Sequence, residues 1–398
     1  MSIEVHFRSV QTMKVVNIIP TYNEKENIGL MLEVLTKIAK VNQQYKFATL
    51  VVDDDSPDGT SEIVKKQMEK DKSICLITGP KKGLGYALIR GYQYAMREME
   101  ADVIIPNDCD FSFEPKRIPD LLKKIDEGYD VVVASRHVGK GTTEGWSLFR
   151  KLNHWISNVF FATHVAGIKE VKDHNGNFKA IRVKGVLDKV PLAKLLAGEK
   201  VKGFGFQAYI LYELSKHSKK FCEVPIIFKF RVRGETKIGK KYLKSYLRDI
   251  FEYIKLAILI RLERSQRFFK FAIVGTTGLA IQTVTYYFLA FMANLVRPSL
   301  ATIIGGQLAI VSNYILNNIW TFKEEKISRL GKLVFKFFQF WLTSNFAVLI
   351  IQAGTVRLGE WLVTPESPLI HLFFFFGLVL TIIWNYTIYN KYIWRTSK

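Results

Sequence analysis

The run Asp53-Asp54-Asp55-Ser56-Pro57-Asp58-Gly59-Thr60 follows directly on the apolar stretch Phe47 to Val52, and Asp108-Cys109-Asp110 closes a second apolar stretch, Val103 to Pro106. Carboxylates that end buried strands lie at the carboxyl edge of a sheet, where open α/β folds bind nucleotides. Such clusters suit a nucleotide or a metal. Asp, Ser, Pro and Gly also favour turns, so the first run taken alone reads equally well as a loop. The second acidic strand end tips the balance toward chemistry. Two carboxylates one residue apart, Asp108 and Asp110, can hold a hard divalent cation against a diphosphate. Asp54 is an acceptor only and is suited to a nucleobase or ribose. A cation on a nucleoside diphosphate makes it a better leaving group, so the inferred chemistry is transfer of the group it bears. Lys82-Gly83-Leu84-Gly85 precedes a helical pattern and reads first as a shaped loop and second as a phosphate contact.

The elements that would position these residues are visible in the hydrophobic pattern. Strand-like runs at Val15–Ile19, Phe47–Val52, Ile74–Ile77, Val103–Ile105 and Val131–Ala134 alternate with helical patterns, the first bearing Ile28, Leu32, Leu35 and Ile38 on one face. Asn23 and Glu26 have the spacing of a capping box. Alternation of this kind predicts a mostly parallel sheet covered by helices, with ligand at the carboxyl ends of the strands.

The chain has 398 residues and changes character part-way. Up to about Lys240 charge is interspersed; Phe268–Asn294, Leu300–Trp320, Val334–Val356 and Leu369–Tyr389 are long apolar stretches near or above the roughly 20 residues that span a bilayer core. Four membrane helices are expected. Lys and Arg gather before the first stretch, between the second and third, and in the tail, which places both termini and the first domain in the cytoplasm. Met1 to Lys14 has no apolar core of a signal peptide. The formal net charge of +21 is accounted for by basic residues beside the spans and in Lys237–Arg248, and no module that reads bases is present, so nucleic acid is not an expected partner. Cys75, Cys109 and Cys222 have no metal-ligand spacing and suit a reducing compartment.

At the level of motifs the chain resembles glycosyltransferase family 2, and within it the polyprenol (dolichyl) phosphate mannose synthases. The resemblance is carried by Ile18-Ile19-Pro20-Thr21-Tyr22-Asn23-Glu24, Val51 to Gly59, Gly83-Leu84-Gly85 through Arg90-Gly91, Asp108 to Ser112, Ser135-Arg136, and Arg231-Val232-Arg233-Gly234-Glu235-Thr236-Lys237. It implies a Rossmann-like GT-A catalytic domain of the α/β class that passes a sugar from a nucleotide to a lipid phosphate with inversion, using Mg2+ or Mn2+. By position it implies that Pro20, Tyr22, Glu24, Val52, Asp54, Asp108, Cys109 and Lys237 bind the nucleotide-sugar. Asp108, Asp110 and Ser112 would surround the metal, and Arg136, Arg150, Arg231 and Arg233 would meet the acceptor phosphate. Asp110, Arg136 and Arg231 would be central to catalysis. An acceptor phosphate is already ionised near neutral pH, so no general base is needed, and His137, His154 and His174 are expected to be structural or exposed. The chain departs from the family pattern at Cys109, at Gly176-Asn177-Phe178 after Asp173, and at Phe206-Gln207-Ala208-Tyr209, where a carboxylate is replaced by Tyr209.

The second half resembles the GtrA-like membrane family through Phe268 to Gly275 and Asn317 to Phe322. Gly275, Gly278, Gly305 and Gly306 read as close helix packing. Between the halves, Tyr242, Tyr246, Ile250 and Ile254 recur at helical spacing behind a basic cluster, as in an interfacial helix along the headgroups. Leu148, Leu152, Trp155, Ile156 and Val159 form a second amphipathic pattern that suits either the membrane or the domain core. The expected division is a GT-A domain over 1–239, interfacial linker helices over 240–266 and a four-span domain over 267–398. The expected activity is transfer of mannose from GDP-mannose to dolichyl or polyprenyl phosphate at the bilayer, with self-association of the chain left open. A UDP-glucose or other UDP-sugar transferase, and a transport or scaffold protein that retains nucleotide binding with weak turnover, are the competing readings.

Overall fold

The computed structural model describes residues 12–197, 205–229, 243–296, 298–363 and 369–394. It divides into two compact units, Met1–Arg261 and Leu262–Lys398. The first unit runs β1 (Lys14–Thr21), α1 (Lys25–Val41), β2 (Lys46–Asp53), α2 (Thr60–Lys70), β3 (Ile74–Thr78), α3 (Leu84–Arg97), β4 (Val103–Pro106), α4 (Ile118–Asp126), β5 (Val131–Ser135), β6 (Thr142–Thr143), α5 (Leu148–Trp155), β7 (Lys179–Arg182), α6 (Leu192–Ala197), α7 (Phe206–His217), β8 (Phe221–Pro225), β9 (Ile227–Phe228) and α8 (Leu243–Arg264). β1, β4 and β5 are apolar and buried almost throughout, as strands covered on both faces must be.

The main sheet has the order β3-β2-β1-β4-β7-β5-β8. β1 lies parallel to β2 on one side, Thr21 opposite Asp53, and parallel to β4 on the other, Ile18 opposite Pro106. The chain thus leaves β2 and β4 in opposite lateral directions from β1, and both acidic strand ends reach the same sheet edge at this switch point. β7 breaks the parallel pattern, pairing antiparallel with β4 and β5. Ile18, Val52, Leu88 and Tyr92 lie in the core on one face, and Ile19, Ile28, Leu32 and Ile105 in the core on the other.

α1 begins at Lys25 with Glu24 as N-cap and no side-chain cap from Asn23, so the expected capping box does not form. Asn23 takes a left-handed φ of 55°, and its N–H donates instead to Ser56 Oγ (3.0 Å). The buried stripe of α8 is Tyr253, Leu256, Ala257 and Ile260, packed into the first unit's core, with Phe251, Ile258 and Leu259 on the exposed side. The expected headgroup-facing stripe is a different set of positions: of its members Ile250 and Ile254 are half-buried, and Tyr242 and the side chain of Tyr246 lie outside the described residues. Each large side chain so buried contributes about 1.5–3 kcal/mol, enough to hold the helix on the domain. On α5, Leu148, Leu152 and Trp155 are exposed, so they do not supply core packing.

The second unit contains α9 (Gln266–Tyr287), α10 (Pro298–Leu316), α11 (Leu330–Phe346), α12 (Ala353–Leu362) and α13 (Ile370–Ile388). Helices therefore occupy all four apolar stretches. Gln266–Tyr287 and Leu330–Ile351 are long and apolar enough to cross a membrane by length and composition. Gly278 packs against Asn313 and Gly305 against the Gln282 backbone so closely that a Cβ would come within 2.4 and 2.8 Å of them, as close helix packing requires. Among the described residues a Cβ on Gly275 would meet nothing within 4 Å, so it takes no part in this packing there. Asn318 pins the turn after α10: its amide donates to Ile327 O (3.1 Å), and its Oδ1 accepts from Ile327 N (2.8 Å) and Trp394 Nε1 (3.0 Å). The Trp394 ring stacks on Phe322, centroids 4.6 Å apart.

Candidate active site

The fan of carboxylates after β2 divides into builders and a presented group. Asp53 is fully buried and accepts from Thr21 Oγ1 (2.7 Å), Ser56 N (2.9 Å), Ser56 Oγ (2.6 Å) and Ser61 Oγ (2.9 Å). Asp58 accepts from Lys25 N (3.0 Å) and Thr60 Oγ1 (2.6 Å), while Thr60 Oγ1 accepts from Glu24 N (3.1 Å). The loop therefore supplies the acceptors that the first N–H groups of α1 lack within the helix. It is a turn that also carries the candidate residue Asp54. Asp54 faces a cation: its Oδ1 accepts from Arg90 Nη2 on α3 (2.9 Å), and Arg90 also donates to Asp53 O (3.3 Å). Burial pushes the Asp54 carboxyl up, and the charge of Arg90 offsets this only in part.

Of the other residues expected at the nucleotide, Pro20 is the penultimate residue of β1, opposite Val52, and Tyr22 follows the strand with Lys81 Nζ over its ring, 3.4 Å from the centroid. Glu24 is buried and accepts from Asn27 Nδ2 (2.7 Å). The side chains of Val52 and Cys109 are buried within the two cores, so these positions have only their backbone to offer a ligand.

Beyond β4, Phe111 turns the chain sharply. Its φ of 58° is strained for a bulky residue. The turn lets Ser112 N donate to Asp110 Oδ1 (3.0 Å), and Ser112 O in turn accepts from Lys229 N (3.0 Å). Asp108 Oδ1 accepts from Asn177 Nδ2 (2.9 Å). The donor set fits a hard divalent cation: two carboxylates oriented by neighbouring N–H groups, with the intervening sulfur side chain, that of Cys109, turned into the core.

Arg136 follows the last residue of β5. Its backbone N–H and Nε donate to Asp173 Oδ2 (2.9 and 2.8 Å) and its Nη2 to Oδ1 (2.7 Å), and the pair is almost wholly buried. Burial alone would raise the Asp173 carboxyl; the Arg136 charge and hydrogen bonds overcome this and hold it well below the usual carboxylate range. The guanidinium lies over Phe113, Trp146 and Phe228 at 5.8, 5.6 and 5.3 Å from the ring centroids, and Arg150 also lies over the Trp146 ring, at 4.3 Å. Arg136 and Arg150 thus lie against one indole, that of Trp146.

His137 and His154 approach through Nε2 (2.9 Å) with rings stacked, and Asp173 is close to both. Burial, then the charge of Arg136, pushes His154 down to about 3, so it is neutral near pH 7. His174 is fully buried and its Nε2 bonds Ile168 O (2.9 Å), the structural role expected of it. Arg231, Arg233 and Lys237 lie outside the described residues.

Comparison with known proteins decides the family. Residues 17–190 match glycosyl transferase family 2, and residues 270–394 match the GtrA/DPMS transmembrane domain. Over 326 residues the chain is 32% identical to the dolichol-phosphate mannosyltransferase of Pyrococcus furiosus, covering 82% of this chain and 86% of that protein. The chain belongs to glycosyl transferase family 2. It is a glycosyltransferase with a GT-A catalytic domain joined to a GtrA-type transmembrane domain. It is also 33% identical to the undecaprenyl-phosphate mannosyltransferase of Micrococcus luteus over 57% of this chain and 88% of that protein. Identity to the polyprenol monophosphomannose synthase of Mycolicibacterium smegmatis is 28%, over 64% and 91%.

Sequence reasoning missed the partners of this glycosyltransferase's site: Asp173 for Arg136, Arg90 for Asp54, and Asn177 for Asp108. The available signal was polarity at strand and helix ends that are otherwise apolar, as at Asn177-Phe178 and Phe206-Gln207. Tyr209, which stands where the family pattern has a carboxylate, is buried in the core beside Tyr212.

Proposed function

We propose that this glycosyltransferase moves mannose from GDP-mannose to a polyprenyl phosphate such as dolichyl phosphate, with inversion, at the cytoplasmic face of the cell membrane. The observation that carries the reading is the gathering of Asp54, the Asp108–Asp110 pair and Arg136 at one sheet edge, in a chain whose relatives are named polyprenol phosphate mannosyltransferases. Asp54, held by Arg90, accepts from the base or ribose, with Pro20, Tyr22 and Glu24 beside it. Asp108 and Asp110, with Ser112, hold Mg2+ or Mn2+, which when bound supplies positive charge to the leaving diphosphate. Arg136 and Arg150 attract the acceptor phosphate, and Arg231, Arg233 and Lys237 are assigned to the same phosphates from the family pattern. A guanidinium fork matches phosphate oxygens. An ionised phosphate attacks without a base, in keeping with a neutral His154 and an Asp173 committed to Arg136. The four apolar stretches cross the bilayer with both termini in the cytoplasm, and the exposed side chains of α5 and α8 meet the headgroup region.

The test is nucleoside diphosphate release by the detergent-purified full chain with Mn2+ and polyprenyl phosphate, offering GDP-mannose and UDP-glucose separately. Release from GDP-mannose that needs the lipid, stops on chelation and falls by about two orders of magnitude in Asp110→Ala is expected. Release from UDP-glucose alone would overturn the donor, and release unaffected by Asp110→Ala would overturn the site.

A further inference from the structure

Lys179 opens β7 with its side chain fully buried, where a lone ammonium is costly. It donates to Asn177 O (3.2 Å) and to Gln207 Oε1 (2.6 Å). Gln207, near the start of α7, donates through Nε2 to Asn177 Oδ1 (3.1 Å), and Asn177 donates through Nδ2 to Asp108 Oδ1 (2.9 Å). Both amides are buried as well. A side-chain relay thus runs from a cation in the core to a carboxylate of the site.

The direction of every donor in that relay follows from its first member. An ammonium has hydrogens to give and no lone pair to offer, so it draws the oxygen end of Gln207 toward itself. The Gln207 nitrogen must then face Asn177 Oδ1, and the Asn177 nitrogen is left for Asp108. Without the ammonium either amide can turn over, and a reversed Asn177 would set an oxygen against a carboxylate. Desolvation pushes Lys179 down to about 7, and an apolar side chain of similar length would fill the site at lower cost. Core packing alone does not account for a lysine here.

We infer that Lys179 is a positioning residue for Asp108, acting through Gln207 and Asn177 to hold the carboxylate in the orientation that receives a divalent cation. The inference rests on the reading of Asp108 and Asp110 as the metal pair. Asp173 is the other acidic group whose charge reaches Lys179, and its commitment to Arg136 leaves the relay directed at Asp108.

The test is calorimetric titration of GDP into the detergent-purified full chain at a series of Mn2+ concentrations and in EDTA, for wild type, Lys179→Met and Gln207→Glu. Thermal unfolding and GDP binding in EDTA report whether each variant is folded. Gln207→Glu keeps, and strengthens, the partner of Lys179 but has no hydrogen to give Asn177, so it separates the relay from the burial of the lysine. Both variants should raise the Mn2+ concentration that half-saturates the gain in GDP affinity by about 10–100-fold, the usual cost of losing a residue that orients a metal ligand. Turnover at saturating Mn2+ should fall by much less than that constant rises. Folded variants whose Mn2+ constant stays within about twofold of wild type would overturn the relay, as would a loss of thermal stability with no movement of that constant. A wild type whose GDP affinity ignores Mn2+ would instead refute the metal reading on which the inference rests.

Discussion

Replacing Asp173 by Asn tests the most deeply buried charge pair among the described residues of the catalytic domain. Arg136 gives Asp173 three hydrogen bonds of 2.7–2.9 Å, and the two side chains are 5% and 0% exposed. The amide that replaces the carboxylate retains one acceptor oxygen and turns an NH2 group toward the guanidinium, so a buried cation is left among Phe113, Trp146 and Phe228 with donor facing donor. Breaking a buried pair from one side costs about 3–5 kcal/mol. At about 2–4 °C per kcal/mol for a domain of this size, Asp173→Asn should lower Tm by about 6–20 °C. The assay is thermal unfolding of the full chain in detergent, read on the catalytic domain. The pH dependence has a definite sign: the Asp173 carboxyl is depressed in the folded state, so its contribution is fully present above the ordinary Asp value of about 4 and is lost as pH falls toward the depressed one. The difference between wild type and variant should therefore be flat from pH 5 to 8 and shrink only in stronger acid. Arg136→Met combined with Asp173→Leu removes both charges and should recover most of the stability, while transfer stays lost because the guanidinium is absent. A Tm within about 2 °C of wild type for Asp173→Asn, or recovery of activity in the double variant, would refute this account.

Three other substitutions probe separate parts of the chain. Gly79→Ala would place a Cβ 2.2 Å from Arg90 Nη1; with Arg90 displaced from Asp54, GDP affinity should fall about tenfold, near the worth of one charged hydrogen bond, while Tm barely moves. An unchanged GDP affinity by calorimetry would remove Asp54 from the nucleotide site. Glu100 is exposed with a left-handed φ of 48° in the turn between α3 and β4, so Glu100→Gly should stabilise the domain by about 1 kcal/mol in denaturant unfolding, and a loss of stability would contradict the strain argument. Gly305→Ala would bring a Cβ within 2.8 Å of the Gln282 carbonyl oxygen on the neighbouring helix, whereas Gly275 has nothing within 4 Å. The first should destabilise the helical unit by about 1–3 kcal/mol and Gly275→Ala should not; equal thermal shifts would mean that close α9–α10 packing is not at stake.

The strands and the sheet edge were legible because burial on both faces leaves near-continuous apolar runs: Val15–Ile19 lies within β1, and Phe47–Val52 within β2. β7 was not legible. Its four residues begin with a lysine, and its antiparallel place between β4 and β5 depends on partners some 50 and 80 residues away in sequence. The carboxylates after β2 were legible as a group but not by role. Which of them builds the loop depends on where the N–H groups of Asn23, Glu24 and Lys25 arrive, and that follows from the β1–β2 register that sets Thr21 opposite Asp53. The domain-facing side of α8 was not legible for a related reason: helical spacing shows that an apolar face exists, whereas the surface it meets selects Tyr253, Leu256, Ala257 and Ile260 for burial.

Asp108 and Asp110 illustrate why an Asp-x-Asp pattern by itself says little. Neither carboxylate is oriented by the motif alone. Asp108 is held through Asn177 by a relay that begins at Lys179, far along the chain. Asp110 is held by the Ser112 N–H, which reaches it because Phe111 adopts a conformation costing about 1–3 kcal/mol. That strain persists because the surroundings oppose its release: the Phe111 ring packs against the core that contains Phe113 and Phe178, and Lys229 N ties down Ser112 O. A chance Asp-x-Asp elsewhere has neither support, and its carboxylates would sample many orientations in solvent. What distinguishes this pair is that two independent devices, a buried cation acting through neutral amides and a strained turn clamped from outside, each fix one of its members.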